Sequence, residues 1–227
     1  MRASSSDGDG CGGAVRPPRR PAPAGSAVKL VLASRSPQRD ALLRQLGVPF
    51  RVIVSEHDED LHDGDPVRTV ERNAEGKAAE VLGRVRLHPD ELVLGVDTVV
   101  VVGGRVLGKA GGEQEAAEYL RLLAGRRHEV YSGLHLRDRE RGVTAHAVTG
   151  VTFRSLDESD IARYVAAGEW RERAGAYAIQ GIGSALVAGV DGDYFNVVGL
   201  PVAELVTALA AFGAAPFSWL GLPAHDD

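Results

Sequence analysis

The chain has 227 residues, 44% of them hydrophobic and 25% charged, with a formal net charge of −5. That is enough apolar content for one ordinary buried core, and the acidic balance, with no blocks of basic residues, excludes a general nucleic-acid binder. No apolar run is long enough to span a bilayer, and a lone Cys11 excludes both a disulfide framework and a cysteine metal site, as expected of a cytoplasmic protein without a membrane partner.

Residues 1–27 are rich in Gly, Ser, Pro and Arg without apolar periodicity, which predicts a disordered extension. The Arg19-Arg20 pair does not make an export signal, because prolines follow it and Lys29 interrupts the apolar stretch beyond. The ordered pattern begins at Val28, which suggests a natural start there. Residues 29–34 read as a buried strand, and residues 36–47 as a helix with Ser36 as N-cap, Pro37 at its first position and Gly47 as its stop. A strand at 50–54 and an acidic loop lead to a helix over 65–84, capped by Asp65, with an apolar stripe at Val67, Val70, Ala74, Ala78 and Val81. The next stretch gives a strand to Gly95 with Asp97 at its end, then a hairpin turning at Gly103-Gly104.

A helix over 113–125 follows, and then a long hairpin over 128–154. Ser155 and Glu158 form a capping box for a helix ending at Gly168. Residues 184–199 read as a hairpin turning at Asp191-Gly192, and a last helix starts from Pro201. Interleaved strands and helices with frequent hairpins predict an α/β fold with a mixed sheet.

Of 26 basic residues, only Lys29, Lys77 and Lys109 are lysine. Where Arg serves as the generic cation, a retained ammonium marks a place that needs a compact point charge. Lys29 opens a strand, so Lys77 and Lys109 are the functional candidates. Lys77 lies on the buried stripe of its helix, and the scarcity of lysine favours an inward, anion-facing role over snorkelling.

Residues 103–109 fit G-x-x-x-x-G-K, but Ala110 stands where a Walker A loop needs a hydroxyl for Mg²⁺. Gly111-Gly112 also breaks the chain where its helix should begin, so a P-loop kinase or ATPase is set aside.

The turn from the first strand into the first helix offers hydroxyls and free N–H groups to an anion. Arg39 sits there on the apolar side, either facing that anion or pairing with a carboxylate. Asp97 precedes four valines, which makes an exposed turn aspartate improbable; it stands where α/β sheets place ligand-binding residues. Glu56, Asp58, Glu59 and Asp60 are either a solvated run or ligands for a hard cation such as Mg²⁺, and composition does not choose among them. The histidines show no metal-site spacing, and no Ser-His-Asp or Cys-His set stands out.

The segments LASRSPQRDALL, EGKAAEVL, LGVDTVVVVGG, LGKA, HEVYSGL, VTFRSL, YVAAGEW, AGAYAIQG and NVVGLP resemble, in order and spacing, the Maf family of nucleoside triphosphate pyrophosphatases. The resemblance covers 28–212 as one domain and leaves 213–227 as a tail. It implies an elongated α/β structure with two lobes around a cleft, related to the inosine triphosphate pyrophosphatases, and a homodimer as partner state. It also implies hydrolysis of nucleoside triphosphates to monophosphate and pyrophosphate with Mg²⁺ or Mn²⁺ as cofactor. It assigns Ser34, Ser36, Arg39, Lys77 and Lys109 to phosphate contact, Glu59 and Asp97 to catalysis and the metal, Asp97 as proton acceptor, and Gln180 to the base.

Thr98 and Gln180 match the branch acting on dTTP and UTP. Three positions depart from the family pattern: Gln38 replaces an arginine common in that branch, Ala110 a proline and Arg173 a lysine. The alternatives are a broad or modified-nucleotide substrate range, or a non-catalytic nucleotide-binding regulator linked to cell division, which would not need Asp97 and Glu59.

Overall fold

The computed structural model describes residues 28–60 and 64–220. The expected disordered extension (1–27) and the end of the tail (221–227) lie outside the described residues. Seven strands form one mixed sheet: β1 (Lys29–Leu32), β2 (Phe50–Val52), β3 (Glu91–Val102), β4 (Arg105–Leu107), β5 (Arg127–Arg137), β6 (Gly142–Phe153) and β7 (Val187–Asp191). Their order is β2-β1-β3-β5-β6-β7, with β4 folded back on the far end of β3. β1 pairs parallel with β2 and β3, and the remaining pairs are antiparallel. The helices are α1 (Pro37–Gln45), α2 (Pro66–Arg84), α3 (Glu113–Leu123), α4 (Glu158–Ala167), α5 (Tyr194–Val198) and α6 (Val202–Ala211). This is the α/β architecture with a mixed sheet that the sequence predicts.

Two lobes share the long strands. In the first, Leu30 and Leu94 pack with Leu43 of α1 and Leu205 of α6 on one sheet face, while Val81 of α2 meets Val31 and Val93 on the other. In the second, Val100, Val130 and Phe153 pack with Leu120 of α3 and Ile161 of α4. β3 and β5 run through both cores, so the lobes are joined by continuous hydrogen-bonded backbone. Trp219 is buried in the first lobe, and its Nε1 donates to Leu46 O at 2.9 Å, so the described part of the tail packs beside α1.

Four local expectations are corrected. Asp97 does not end a strand; β3 runs unbroken through it, because Gly95 is a point of close approach and not a stop. A Cβ at Gly95 would land on the Ala74 carbonyl of α2. The capping box of α4 is Asp157 with Asp160, since the chain at Arg154 is still extended, donating its N–H to Leu186 O. The hairpin over 184–199 keeps only its first strand. Asp193 caps α5, and Asn196, fully buried, donates to Val130 O and Thr149 Oγ1, which fixes the segment as a helical turn over β5 and β6. Ser36 stands at the N-cap of α1, but its hydroxyl donates to Gln38 Oε1 and does not cap the helix.

Because the obstacle at Gly95 is backbone, Gly95→Ala must push α2 off the sheet. It is expected to cost about 1–3 kcal/mol in urea unfolding. Gly83→Ala, in the same helix with open space around it, is expected to gain about 0.5–1 kcal/mol. Equal effects at the two positions would contradict this packing.

Candidate active site

β1 and β3 part company just before the site. The last bond between them is from Ala33 N to Leu94 O at 2.8 Å, after which the chain turns into α1. The next β3 carbonyl facing that side, Val96 O, therefore has no strand partner. Two cations take the place of one. Arg39 Nη1 donates to it at 2.9 Å and Lys77 Nζ at 3.3 Å.

Arg39 comes from the buried face of α1, beside Leu42 and Leu43. Its Nε donates to Gly199 O at 2.8 Å, Nη1 also to Ser34 Oγ at 3.1 Å, and Nη2 to Thr98 Oγ1 at 3.1 Å. Ser34 Oγ accepts from Ser36 N as well, so its own O–H is left to donate into the cleft. Thr98 Oγ1 lies 2.9 Å from Ser132 Oγ, which donates in turn to Asn196 O.

On the other face of β3, Lys77 reaches Asp97 from α2. Nζ is 2.6 Å from Asp97 Oδ1 and 2.7 Å from Glu59 Oε1. Asp97 is 3% exposed, and its Oδ2 accepts from Asn73 Nδ2 at 2.9 Å. The Asn73 amide also holds the acidic loop, accepting from Asp60 N and donating to Asp60 O, both at 3.0 Å. This is why Glu59, of the four acids in the loop, meets Lys77. Burial pushes the Asp97 carboxyl up, but Lys77, Asn73 and Arg39 together outweigh it and hold Asp97 below the ordinary carboxylate value. Burial lowers Arg39, opposed by Asp97 and Glu59; a guanidinium stays charged nonetheless.

The second lobe supplies the facing wall of a cleft of about 770 Å³. Lys109 forms an isolated bridge with Ala174, and its Nζ lies 3.6 Å from Glu172 Oε2, with nearly half the side chain exposed. Gln180 is exposed on this wall, and Gln38 lines the opposite one. Arg173 also lines the cleft. Its Nε is buried without a hydrogen-bond partner, and burial lowers the group while Tyr164 and Glu169 raise it. The structure thus gathers Ser34, Arg39, Glu59, Lys77, Asp97 and Thr98 into one bonded cluster. It sets Lys109 and Gln180 on the far wall of the same cleft.

The model of the family described as Maf-like protein matches residues 29–212. The chain belongs to the Maf family. Among relatives of this Maf chain are a dTTP/UTP pyrophosphatase of Pelotomaculum thermopropionicum, 48% identical over 188 residues, covering 82% of this chain and 97% of the relative. One from Moorella thermoacetica is 49% identical over 188 residues, covering 82% and 95%. One from Symbiobacterium thermophilum is 46% identical over 191 residues, covering 84% and 97%. Each is named a dTTP/UTP pyrophosphatase.

Sequence reasoning missed Asn73, Ser132 and Asn196 in this Maf site. Asn73 carried the signal that revealed Lys77: it lies one turn earlier on the same buried stripe, where a polar amide needs a partner. Ser132 and Asn196 sit in strand and helix positions whose burial depends on long-range pairing, and nothing local marks them.

Lys77 and Asp97 form a buried ion pair, so Lys77→Met leaves Asp97 charged and under-compensated. The single variant is expected to lose about 3–5 kcal/mol in urea unfolding, and adding Asp97→Asn to recover most of it. A single-variant loss below about 1 kcal/mol would contradict the pairing.

Proposed function

We propose that the chain hydrolyses nucleoside triphosphates to the monophosphate and pyrophosphate, with dTTP and UTP preferred, in nucleotide-pool maintenance. The observation that carries this reading is the buried Arg39, Lys77 and Asp97 cluster at the end of β1, in a Maf chain whose close relatives are named for that activity.

The cluster balances its own charge: Arg39 and Lys77 offset Asp97 and Glu59. A triphosphate brings several negative charges that this balance does not meet. Lys77 spends its three N–H donors on Val96 O, Asp97 and Glu59. A phosphate oxygen therefore enters by displacing Glu59, the partly exposed member. Arg39 has four of its N–H bonds committed to protein and one left over. It acts as a fixed charge and aims the Ser34 hydroxyl. The N-terminus of α1, with Ser36, and Lys109 from the far wall neutralise the rest of the tail.

Among the described residues no group of three or more His, Cys, Asp or Glu is arranged around a common metal site. Two carboxylates suit Mg²⁺, which is commonly held by one or two carboxylates and the substrate's own phosphates. Asp97 and Glu59 would hold such an ion, and it would supply acidity toward water and neutralise charge on the phosphates. Asp97, held below its ordinary value, is too weak a base for free water. Its part here is to fix and orient the water that attacks the α-phosphorus, with pyrophosphate as the leaving group, through a carboxylate oxygen that Lys77 and Asn73 hold still. Gln180 reads the base: its amide is donor and acceptor at once and matches the O4 and N3–H edge of thymine or uracil.

No helix among the described residues is long and apolar enough to cross a membrane. Such an enzyme belongs with the nucleotide pool, and we assign it to the cytoplasm, as a homodimer.

Pyrophosphate release from a panel of triphosphates tests the reading. Specificity constants for dTTP and UTP are expected to exceed those for CTP and purines by about 10- to 100-fold. Asp97→Asn is expected to lower dTTP turnover by about 10²-fold or more in a folded protein. ATP or methylated GTP turned over as efficiently as dTTP would refute the preference, and full turnover by Asp97→Asn the mechanism.

A further inference from the structure

Beyond the second lobe's Gln180 lies a carboxylate with an unusual set of partners. α4 ends at Ala167, Gly168 takes the left-handed conformation at φ 75°, and Trp170 buries its ring while Nε1 donates to Val165 O at 3.0 Å. Glu169, held between them, points back at the segment that carries Gln180. Its Oε1 accepts from Ile182 N at 3.0 Å, and its Oε2 from Gly183 N at 2.8 Å and from the Tyr164 hydroxyl at 3.1 Å. Tyr164 Oη in turn accepts from Ala178 N at 3.0 Å. Burial, and then the charge of Glu169, push the Tyr164 phenol up, so it stays a donor to Glu169.

Together the two side chains bind the backbone two residues before Gln180 and two and three residues after it. The fit is close: a Cβ at Gly181 would land on Glu169 Oε1, and one at Gly183 on the Ala178 carbonyl.

We propose that the Glu169–Tyr164 pair is a positioning device for base selection, holding residues 178–183 in the one shape that presents the Gln180 amide to the base. It rests on the reading of Gln180 as the base-contacting residue. Glu169 also lines the cleft, but its two oxygens accept three hydrogen bonds from its own protein, so it acts through the loop. A glutamine in its place keeps one accepting oxygen and turns an N–H₂ toward backbone N–H groups, so the amide is only a partial replacement.

The test compares the full chain with Glu169→Ala, Glu169→Gln, Tyr164→Phe and Gln180→Ala, each checked for folding by circular dichroism. The readout is the ratio of kcat/KM for dTTP to that for dGTP. Inorganic tripolyphosphate, which has no base, reports the phosphate cluster as a competitive inhibitor. Glu169→Ala is expected to cut the ratio about tenfold, mainly through KM for dTTP. Tyr164→Phe is expected to cut it about threefold, and Glu169→Gln by an amount between the two. The inhibition constant of tripolyphosphate is expected to stay within about twofold of the wild type.

A ratio that falls in Gln180→Ala but not in the Glu169 and Tyr164 variants overturns the device and leaves the base reading intact. A fall in the Glu169 and Tyr164 variants without one in Gln180→Ala refutes Gln180 as the reader and overturns the device with it. An unchanged ratio in all four overturns both. Loss of tripolyphosphate binding in step with every substrate overturns the proposal in favour of a purely structural pair. Should Glu169→Ala not fold, the amide and phenylalanine variants carry the comparison.

Discussion

The site depends on one unmade backbone bond. Where β1 turns away from β3, Val96 O loses the strand partner that every earlier carbonyl on that side has, and Arg39 and Lys77 converge on it from opposite faces of the sheet. A buried carbonyl without a partner is costly. Two buried cations sharing one carbonyl would be costlier still without the neighbouring carboxylate of Asp97. The three residues thus require one another, and their geometry is fixed by the sheet before any ligand arrives. Gly95 makes the arrangement possible, because only a residue without a side chain lets α2 approach closely enough for Lys77 to span the gap.

On the proposed reading, this sets how the cleft handles a highly charged substrate. The deep members, Arg39, Lys77, Asp97 and Asn73, are locked by hydrogen bonds to strand and helix, so they contribute preorganised charge and do not rearrange. On the same reading Glu59 is the exchangeable member, its side chain 35% exposed on a loop that Asn73 anchors through Asp60. The far wall is held differently. Lys109 and Gln180 are exposed, and their positions come from backbone: the bridge of Lys109 to Ala174, and the residues around Gln180 tied to Glu169 and Tyr164. On the proposed reading, phosphate recognition rests on the first lobe's sheet and base recognition on the second lobe's loops, with β3 and β5 setting the distance between them.

Most of the architecture was legible in the sequence because its cues are local. Pro37 with Gly47, Asp65 with Pro66, and Gly103-Gly104 each mark an end or a turn by their own conformational limits, and each does so in the structure. The buried role of Lys77 was legible from its place on an apolar stripe in a chain that otherwise uses arginine. What escaped depends on partners distant in sequence. Gly95 looks like a strand end unless α2 is known to cross there. Asn196 reads as part of a hairpin's second strand unless Val130 and Thr149 are known to lie beneath it. Asp157 and Ser155 are equally good caps on paper, and the pairing of Arg154 with Leu186 decides between them. The family resemblance supplied residue roles that neither periodicity nor composition contains, such as the choice of Glu59 among four acids. The structure adds that Glu59 is the acid that meets Lys77, on a loop tied down by the Asn73 amide.

The account's central claim is that this cluster directs water at the α-phosphorus, so that pyrophosphate leaves as a unit. Hydrolysis of dTTP by the full-length protein in ¹⁸O-enriched water, followed by ³¹P NMR, tests it directly. The account predicts an isotope-shifted α-phosphorus in dTMP and unlabelled pyrophosphate. Label appearing in pyrophosphate, or release of labelled orthophosphate with dTDP, would contradict it.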